Sequence, residues 1–221
     1  MNIFVEKNEF TVRQTRIYNE IEENALNLDR LKKAEFRNNG GYIIALRHSD
    51  NVIEIIKELN EKISEIIPIM KYDEFNIHTT MASFGECPEF KPVEQVLDTI
   101  SDILLSASAD YEKMKIYYYN LLLDYSALIL AGEFNEAFYK NCKNIISALQ
   151  SENMEFKFPW GTHITVCRFL EDGDYEKVQQ LKNVLGNYET EIYSELQVID
   201  IGYYTNDGKK FELHTYKRIM F

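Results

Sequence analysis

Two stretches of similar pattern, NIHTTMASFG at residues 76–85 and THITVCRF at residues 162–169, decide the interpretation of this chain. Both are rich in β-branched and apolar residues, which predicts strands. Each stretch holds a histidine and, two positions later, a threonine: His78 with Thr80, and His163 with Thr165. Side chains alternate along a strand, so the two members of each pair face the same side. If the two strands are neighbours, the chain builds one cleft that holds two imidazoles and two hydroxyls.

Two imidazoles and two hydroxyls suit the cleavage of a phosphodiester. One imidazole can take a proton from the nucleophile while the other gives a proton to the leaving oxygen. The hydroxyls can donate to the non-bridging phosphoryl oxygens, where charge builds up in the transition state. A single His-x-Thr tripeptide more often marks an ordinary strand, but this chain has four histidines and two of them occupy matching contexts. We therefore predict four catalytic residues: His78, Thr80, His163 and Thr165.

The rest of the chain predicts alternating helices and strands. A polar helix with an apolar stripe of Ile17, Ile21, Leu28 and Leu31 is expected over 11–38, ended by the breakers Asn38-Asn39-Gly40-Gly41. The order β-α-β-α-β-β-α-β-α-β-β follows. Strands are expected at 42–47, 74–84, 115–123, 126–132, 155–170, 193–204 and 210–220, and helices at 50–65, 90–107, 134–150 and 174–185. We expect an N-terminal helical arm over 1–40 and one bilobal domain over 41–221.

The two motifs resemble those of the 2H phosphoesterase superfamily, which includes 2′-5′ RNA ligase-like proteins and cyclic nucleotide phosphodiesterases. The run from His163 to Phe169 matches the family pattern closely, with an apolar residue and then arginine after His-x-Thr. The resemblance implies a bilobal α+β fold, in which two antiparallel sheets face a central cleft and the helices lie outside. This chain departs from the family in its N-terminal arm and at Thr79, where many relatives have an aliphatic residue.

Three further residues are candidates for substrate binding: Arg168, Trp160 and Tyr204. Arg168 takes a place that looks close to the phosphate in the family, but strict alternation puts it opposite His163, so a bulge is needed. A sheet-bracing arginine is an equal alternative. Trp160 can stack on a base, although a lone tryptophan is more often a core residue. Either Tyr203 or Tyr204 is expected to face the cleft, and we choose Tyr204.

The remaining histidines, His48 and His214, lack a His-x-Thr partner and are expected at the surface or in a sheet. Histidines and cysteines lack the spacing of zinc ligands, and the chain has neither a glycine-rich phosphate loop nor a nucleophile elbow. We therefore expect no metal and no cofactor.

Charge and cysteine content limit the partners and the compartment. The net charge of -12, from 24 Lys and Arg against 36 Asp and Glu, argues against long nucleic acid and favours a small nucleotide or short oligonucleotide. Three cysteines without a disulfide pattern indicate a reducing compartment. The N-terminus does not resemble a signal peptide, and no apolar run is long enough for a membrane span. We expect a cytoplasmic protein that does not contact a membrane.

These observations and the resemblance together predict a metal-independent phosphodiesterase. Its expected substrate is a cyclic nucleotide, a 2′,3′-cyclic phosphate or a 2′-5′-linked oligonucleotide. The alternatives are RNA end processing or ligation, and a non-catalytic nucleotide-binding or interaction module on the same fold. The resemblance implies that His163 is the base toward water and His78 the acid toward the leaving oxygen. Since one imidazole must be neutral while the other is protonated, the rate is expected to peak near neutral pH.

Overall fold

The computed structural model describes residues 6–35, 38–108, 111–188, 190–196 and 198–220. The helices are α1 (Lys7–Leu26), α2 (Asp50–Ser64), α3 (Glu94–Ala107), α4 (Glu136–Ser151) and α5 (Tyr175–Leu185). The strands are β1 (Asn39–Leu46), β2 (Ile69–Lys71), β3 (Thr79–Pro88), β4 (Met114–Leu123), β5 (Ala127–Phe134), β6 (His163–Phe169), β7 (Ile192–Leu196), β8 (Val198–Asn206) and β9 (Phe211–Met220).

The strands form two antiparallel sheets, which confirms the expected α+β class. One sheet has the order β3-β1-β8-β9 and the other has the order β2-β6-β5-β4-β7. A hydrophobic core runs between the sheets and the helices that cover them, and it includes Ile44 of β1, Ile56 of α2 and Phe138 of α4. Because each sheet carries one of the two His-x-Thr motifs, the packing of the sheets determines how the motifs meet.

Three expectations about strands are corrected. The strand expected over 74–84 begins only at Thr79, because the Asp73 carboxylate accepts from the backbone N–H groups of Phe75 and Asn76 and closes a turn. The strand expected over 193–204 is two strands in different sheets, β7 and β8, with residue 197 outside the described residues. The strand expected over 155–170 is regular only from His163 to Phe169.

Side-chain capping explains the start of α5 but not the start of α2. The Asp174 side chain accepts from the Lys177 N–H at 3.1 Å and caps α5, as expected. The sequence predicts Asp50 as the cap of α2, whereas in the structure Ser49 is the N-cap and Asp50 is the first helical residue. None of the helices among the described residues is long and apolar enough to cross a membrane.

Helix α1 is shorter than expected and packs on the second sheet. It ends at Leu26, not near 38, and residues 1–5, 36 and 37 of the expected arm lie outside the described residues. Its buried residues are Phe10, Gln14 and Tyr18, so the buried face differs from the expected isoleucine and leucine stripe. Leu31 is buried, but outside the helix, where its backbone pairs with Gly173. The domain boundary at residue 40 stays a prediction.

Candidate active site

The two sheets meet at the His-x-Thr motifs. His78 directly precedes β3, an edge strand of the first sheet, and His163 is the first residue of β6 in the second sheet. The Thr79 hydroxyl donates to the main-chain carbonyl of His163 across 3.1 Å. This hydrogen bond joins the first motif to the second, so the structure brings the two motifs together.

Within each motif, the histidine and the threonine share one face. His78 and Thr80 are half-buried while Thr79 between them is buried. The second motif repeats the pattern, with His163 and Thr165 half-buried around the buried Ile164. Among the described ranges, no hydrogen bond engages the hydroxyl of Thr80 or Thr165. Each motif therefore presents an imidazole and an unengaged hydroxyl on the same side.

A bulge follows the threonine in each motif and turns the strand. Met81 is the extra residue in β3 and Val166 is the extra residue in β6. The flanking pairs are Ile44 with Ala82 and Ala45 with Thr80 at the first bulge, and Leu128 with Cys167 and Ile129 with Thr165 at the second. The bulge at Val166 returns Arg168 to the face of His163, as a phosphate-binding role for this arginine requires. The corresponding residue of the first motif is Ser83.

The backbone fixes the tautomer of both imidazoles. Nδ1 of His78 lies 2.6 Å from the carbonyl oxygen of Asn76, and Nδ1 of His163 lies 3.3 Å from the carbonyl oxygen of Gly161. A carbonyl oxygen only accepts, so Nδ1 carries the proton in both rings. Nε2 of each ring is then left to accept a proton or, once protonated, to donate one. This is the state that general acid–base catalysis requires.

Desolvation keeps both imidazoles neutral in the free protein. Burial lowers the pKa of His78 to about 4 and that of His163 to about 3, against the opposing effect of the carbonyl hydrogen bonds. Positive charge on His78 or Arg168 further lowers the pKa of His163. The repulsion between the two rings disfavours protonating both at once. An anion bound between them would favour one proton on the pair.

The segment before His78 is held by a buried ion pair. Arg47 donates to the carbonyls of Glu74, Phe75 and Ile77, the second of these at 2.7 Å. Its guanidinium also faces the buried Asp200 carboxylate, 3.4 Å away, which binds Arg218 as well. We call His78, Thr80 and the backbone before them the first half-site, and His163, Thr165 and the backbone before them the second. The first half-site is therefore anchored by Arg47, directly after β1, and by Asp200 of β8.

His48 is buried behind the first motif, so the expectation of a surface or sheet position is wrong. Its Nε2 lies 3.2 Å from the Thr79 hydroxyl, which is also 2.8 Å from the hydroxyl of Tyr118. Thr79 gives its one proton to the carbonyl of His163, so it accepts from both His48 and Tyr118. Burial lowers the pKa of His48 to about 3, and the ring is neutral. His214, the other remaining histidine, lies in β9 with its Nε2 near the Thr205 hydroxyl at 3.1 Å.

The imidazole of each motif stacks on an aromatic ring. Trp160 stacks on His163 with ring centroids 4.0 Å apart, and it meets the ring of Tyr18 edge-to-face. Phe211 stacks on His78 at 5.8 Å, and the sequence did not mark it because it belongs to no motif. Trp160 is half-buried, so it combines packing against α1 with a direct contact to the site.

The other two substrate-binding candidates lie around Phe211. The Nε of Arg168 donates to the hydroxyl of Tyr72 at 3.4 Å, and the ring of Tyr72 stacks on Phe211. Tyr204 also stacks on Phe211, at 5.4 Å, and so reaches His78 through that ring. Tyr203 stacks instead on His214. Of the two tyrosines, Tyr204 is the one joined to the site.

The part of the chain that the structure describes contains no group of three or more His, Cys, Asp or Glu side chains arranged to hold a metal. The expected independence from metal concerns the reaction itself and stays a prediction.

Comparison with solved structures identifies known proteins that have a similar fold. Escherichia coli LigT complexed with 3′-AMP matches with a TM-score of 0.51 and 13% identity, covering 84% of this chain and 98% of that chain. A structure described as a phosphoesterase matches with the same values. Escherichia coli LigT complexed with NADP+ has a TM-score of 0.50 and 14% identity, covering 84% of this chain and 98% of that one. No protein-family model matches, and no curated protein matches in sequence. The chain thus has the LigT fold, which the resemblance to the 2H phosphoesterases implied.

Proposed function

We propose that this protein is a metal-independent phosphodiesterase that hydrolyses a cyclic nucleotide, a 2′,3′-cyclic phosphate or a 2′-5′-linked oligonucleotide. The observation that carries the proposal is the matched pair of half-sites. In both, the imidazole holds its Nδ1 proton on a carbonyl and presents Nε2, and an unengaged threonine hydroxyl lies on the same face. The hydrogen bond from Thr79 to His163 brings these half-sites together.

In the proposed reaction, the Nε2 atoms of the two imidazoles carry one proton between them, and it starts on His78. Nε2 of His163 accepts the proton of the attacking water, and the protonated Nε2 of His78 gives its proton to the leaving oxygen of the ribose. Thr80 and Thr165 donate to the non-bridging oxygens, where negative charge increases as the bond to water forms. The phosphate anion itself raises the pKa of His78 from its low value in the free protein and so loads the acid.

The assignment of acid and base can be tested with leaving groups. A substrate with a very good leaving group needs little protonation, so it should partly rescue His78→Ala and leave His163→Ala inactive. Rescue of His163→Ala instead would show that the two roles are reversed. Turnover measured on a matched pair of esters that differ only in leaving group gives the answer.

Substrate size is limited by α1, which covers the sheet face beside His163. Ala131 pairs with His163 across β5 and β6 and shares its face, yet it is fully buried in a cluster with Tyr18 of α1. A long strand of RNA cannot continue over a covered face. Together with the net charge of -12, this supports a mononucleotide or a short oligonucleotide as substrate.

Nucleotide binding by the fold supports the same substrate class, since LigT is known in complexes with 3′-AMP and with NADP+. In this chain, Arg168 would bind the phosphate, and Trp160 and Tyr204 would contact the base or the sugar. Cys87, Cys142 and Cys167 are free thiols, which supports a reducing, cytoplasmic location.

The test is a substrate panel run with matched variants. Cyclic nucleotides, 2′,3′-cyclic phosphates and 2′-5′-linked dinucleotides are incubated with the wild type, with His163→Ala and with the control His214→Ala, each with and without EDTA. We expect one substrate class to be converted by the wild type and the control, with or without EDTA, and not by His163→Ala. Retention of nucleotide without conversion would indicate a binding module. Loss of turnover in EDTA that a divalent metal restores would reject the metal-independent mechanism.

A further inference from the structure

We infer that α1 is a positioning element of the second half-site, in which Gln14 and Tyr18 hold the backbone segment that orients His163. The inference rests on the proposed function for its kinetic readout. It also has a spectroscopic readout that does not depend on activity.

The Gln14 carboxamide completes the strand ladder just before His163. Gly132 of β5 donates its N–H to the carbonyl of Thr162 at 2.9 Å, as in a regular antiparallel pair. The return bond is replaced, because the N–H of Thr162 donates to Oε1 of Gln14 at 2.6 Å and Nε2 of Gln14 donates to the carbonyl of Gly132 at 3.1 Å. A carboxamide has the same donor and acceptor as a peptide group. The side chain therefore acts as an inserted peptide link between the two strands.

Tyr18 holds the same segment from one helical turn further along α1. Its hydroxyl donates to the carbonyl of Thr162 at 2.5 Å, and the N–H of Gly132 lies 3.5 Å from it. Burial raises the pKa of Tyr18, which keeps the hydroxyl protonated as a donor. Its ring meets that of Trp160 edge-to-face with centroids 5.9 Å apart, and Trp160 stacks on the His163 imidazole. Tyr18 thus acts on both the backbone before His163 and the ring beside it.

Gly161 lies directly under α1. A Cβ at this position would be 3.2 Å from Cγ of Gln14 and 3.5 Å from the hydroxyl of Tyr18. The carbonyl of this same glycine accepts from Nδ1 of His163. The position of α1 over Gly161 therefore determines where that carbonyl points, and the carbonyl sets the tautomer and the tilt of the imidazole.

The two half-sites are braced differently. The segment before His78 is held by Arg47, whose guanidinium donates to three carbonyls and faces Asp200. For the segment before His163, α1 supplies the corresponding donors and acceptors. Loss of the α1 contacts should therefore affect His163 and leave His78 unchanged, which a general loss of stability would not do.

The variants are Gln14→Met, which keeps the length of the side chain, and Tyr18→Phe, which keeps the ring against Trp160. The matched controls are Asn141→Leu and Tyr42→Phe. Asn141 is a buried carboxamide that bonds both the N–H and the carbonyl of Glu112, and Tyr42 is a buried tyrosine whose hydroxyl accepts from the N–H of Val93. The controls lose equivalent hydrogen bonds in α4 and β1, outside both motifs.

The readouts are ¹H–¹⁵N spectra of the histidine rings and steady-state kinetics. We expect Gln14→Met to convert His163 from the Nδ1–H tautomer to a mixture while the signals of His78 stay unchanged. We also expect kcat to fall by about 10- to 100-fold, the scale of a small misplacement, with KM changed much less. Tyr18→Phe should change the His163 tautomer and kcat in the same direction as Gln14→Met does, but by smaller amounts. Both controls should keep the wild-type spectrum and kcat.

The inference is overturned if the His163 tautomer in Gln14→Met and Tyr18→Phe equals that of the controls, whatever the activity. It is also overturned if KM alone changes. If Gln14→Met does not fold, the spectrum of Tyr18→Phe decides. A protein with no phosphodiesterase activity but with the expected spectra would refute the proposed function and leave the role of α1 in place.

Discussion

Replacement of Thr79 by valine removes the hydroxyl that joins the two motifs while nearly keeping its shape. Three hydrogen bonds are lost: the donation to the carbonyl of His163 and the acceptance from Tyr118 and from His48. Tyr118 and His48 are 3.5 Å apart and can bond to each other, so two buried groups are left unpaired. At about 1–3 kcal/mol for each of the two unpaired buried groups, the expected loss is about 2–6 kcal/mol of unfolding free energy.

Equilibrium urea unfolding followed by tryptophan fluorescence measures this loss, because Trp160, the only tryptophan, stacks on His163. Thr79→Ser is the matched control, since it keeps the hydroxyl and loses one methyl group, at about 1 kcal/mol. We also expect Thr79→Val to lower kcat more than Thr79→Ser does. Equal unfolding free energies and equal kcat values for the two variants would refute the view that this hydroxyl joins the motifs.

Three further predictions concern charge. Since the pKa of His78 in the free protein is about 4, kcat/KM should fall about tenfold per pH unit above pH 5, while the kcat maximum lies closer to neutral pH because the bound anion raises the pKa. If the pH profiles of kcat and kcat/KM coincide, this prediction is contradicted. Arg168→Gln should lower kcat/KM by about 10- to 100-fold, because a hydrogen bond to a charged group contributes about 1.5–3 kcal/mol. The exposed Arg30→Gln should leave kcat/KM unchanged. Equal kinetics for the two variants would reject phosphate binding by Arg168. Asp200→Asn breaks a buried ion pair with Arg47 and should cost about 3 kcal/mol in urea unfolding, whereas a loss below about 1 kcal/mol would show that Asp200 does not anchor the site.

The sequence predicted what depends on local periodicity. Alternation along a strand placed His78 with Thr80 and His163 with Thr165 on shared faces, and the structure agrees. The same alternation showed that Arg168 can share the face of His163 only if a bulge lies between them, and the structure has that bulge at Val166. The bulge itself left no signal, because Val166 and Cys167 are both apolar and both buried, as in any core strand.

What the sequence could not predict depends on contacts between distant residues. Gln14 and Thr162 are far apart in the chain, and a polar residue in a helix ordinarily indicates an exposed face. Phe211 and His48 belong to no motif. The order of distant strands in the first sheet brings Phe211 of β9 to His78 and brings His48, which follows β1, to Thr79. The break between β7 and β8 was missed because the sequence from Ile192 to Ile201 contains no glycine or proline to mark a change of sheet.

The central claim is that His78 and His163 act as one acid–base pair. It is tested most directly by the turnover of a 2′,3′-cyclic nucleotide, or of the substrate that the panel identifies, by His78→Ala, His163→Ala and the double variant. Each single variant should lose about 10²–10⁴-fold in kcat, and the double variant should lose little more than the more impaired single variant, as residues that act as a unit do. Wild-type turnover in either single variant, or fully multiplicative losses in the double variant, would contradict the account.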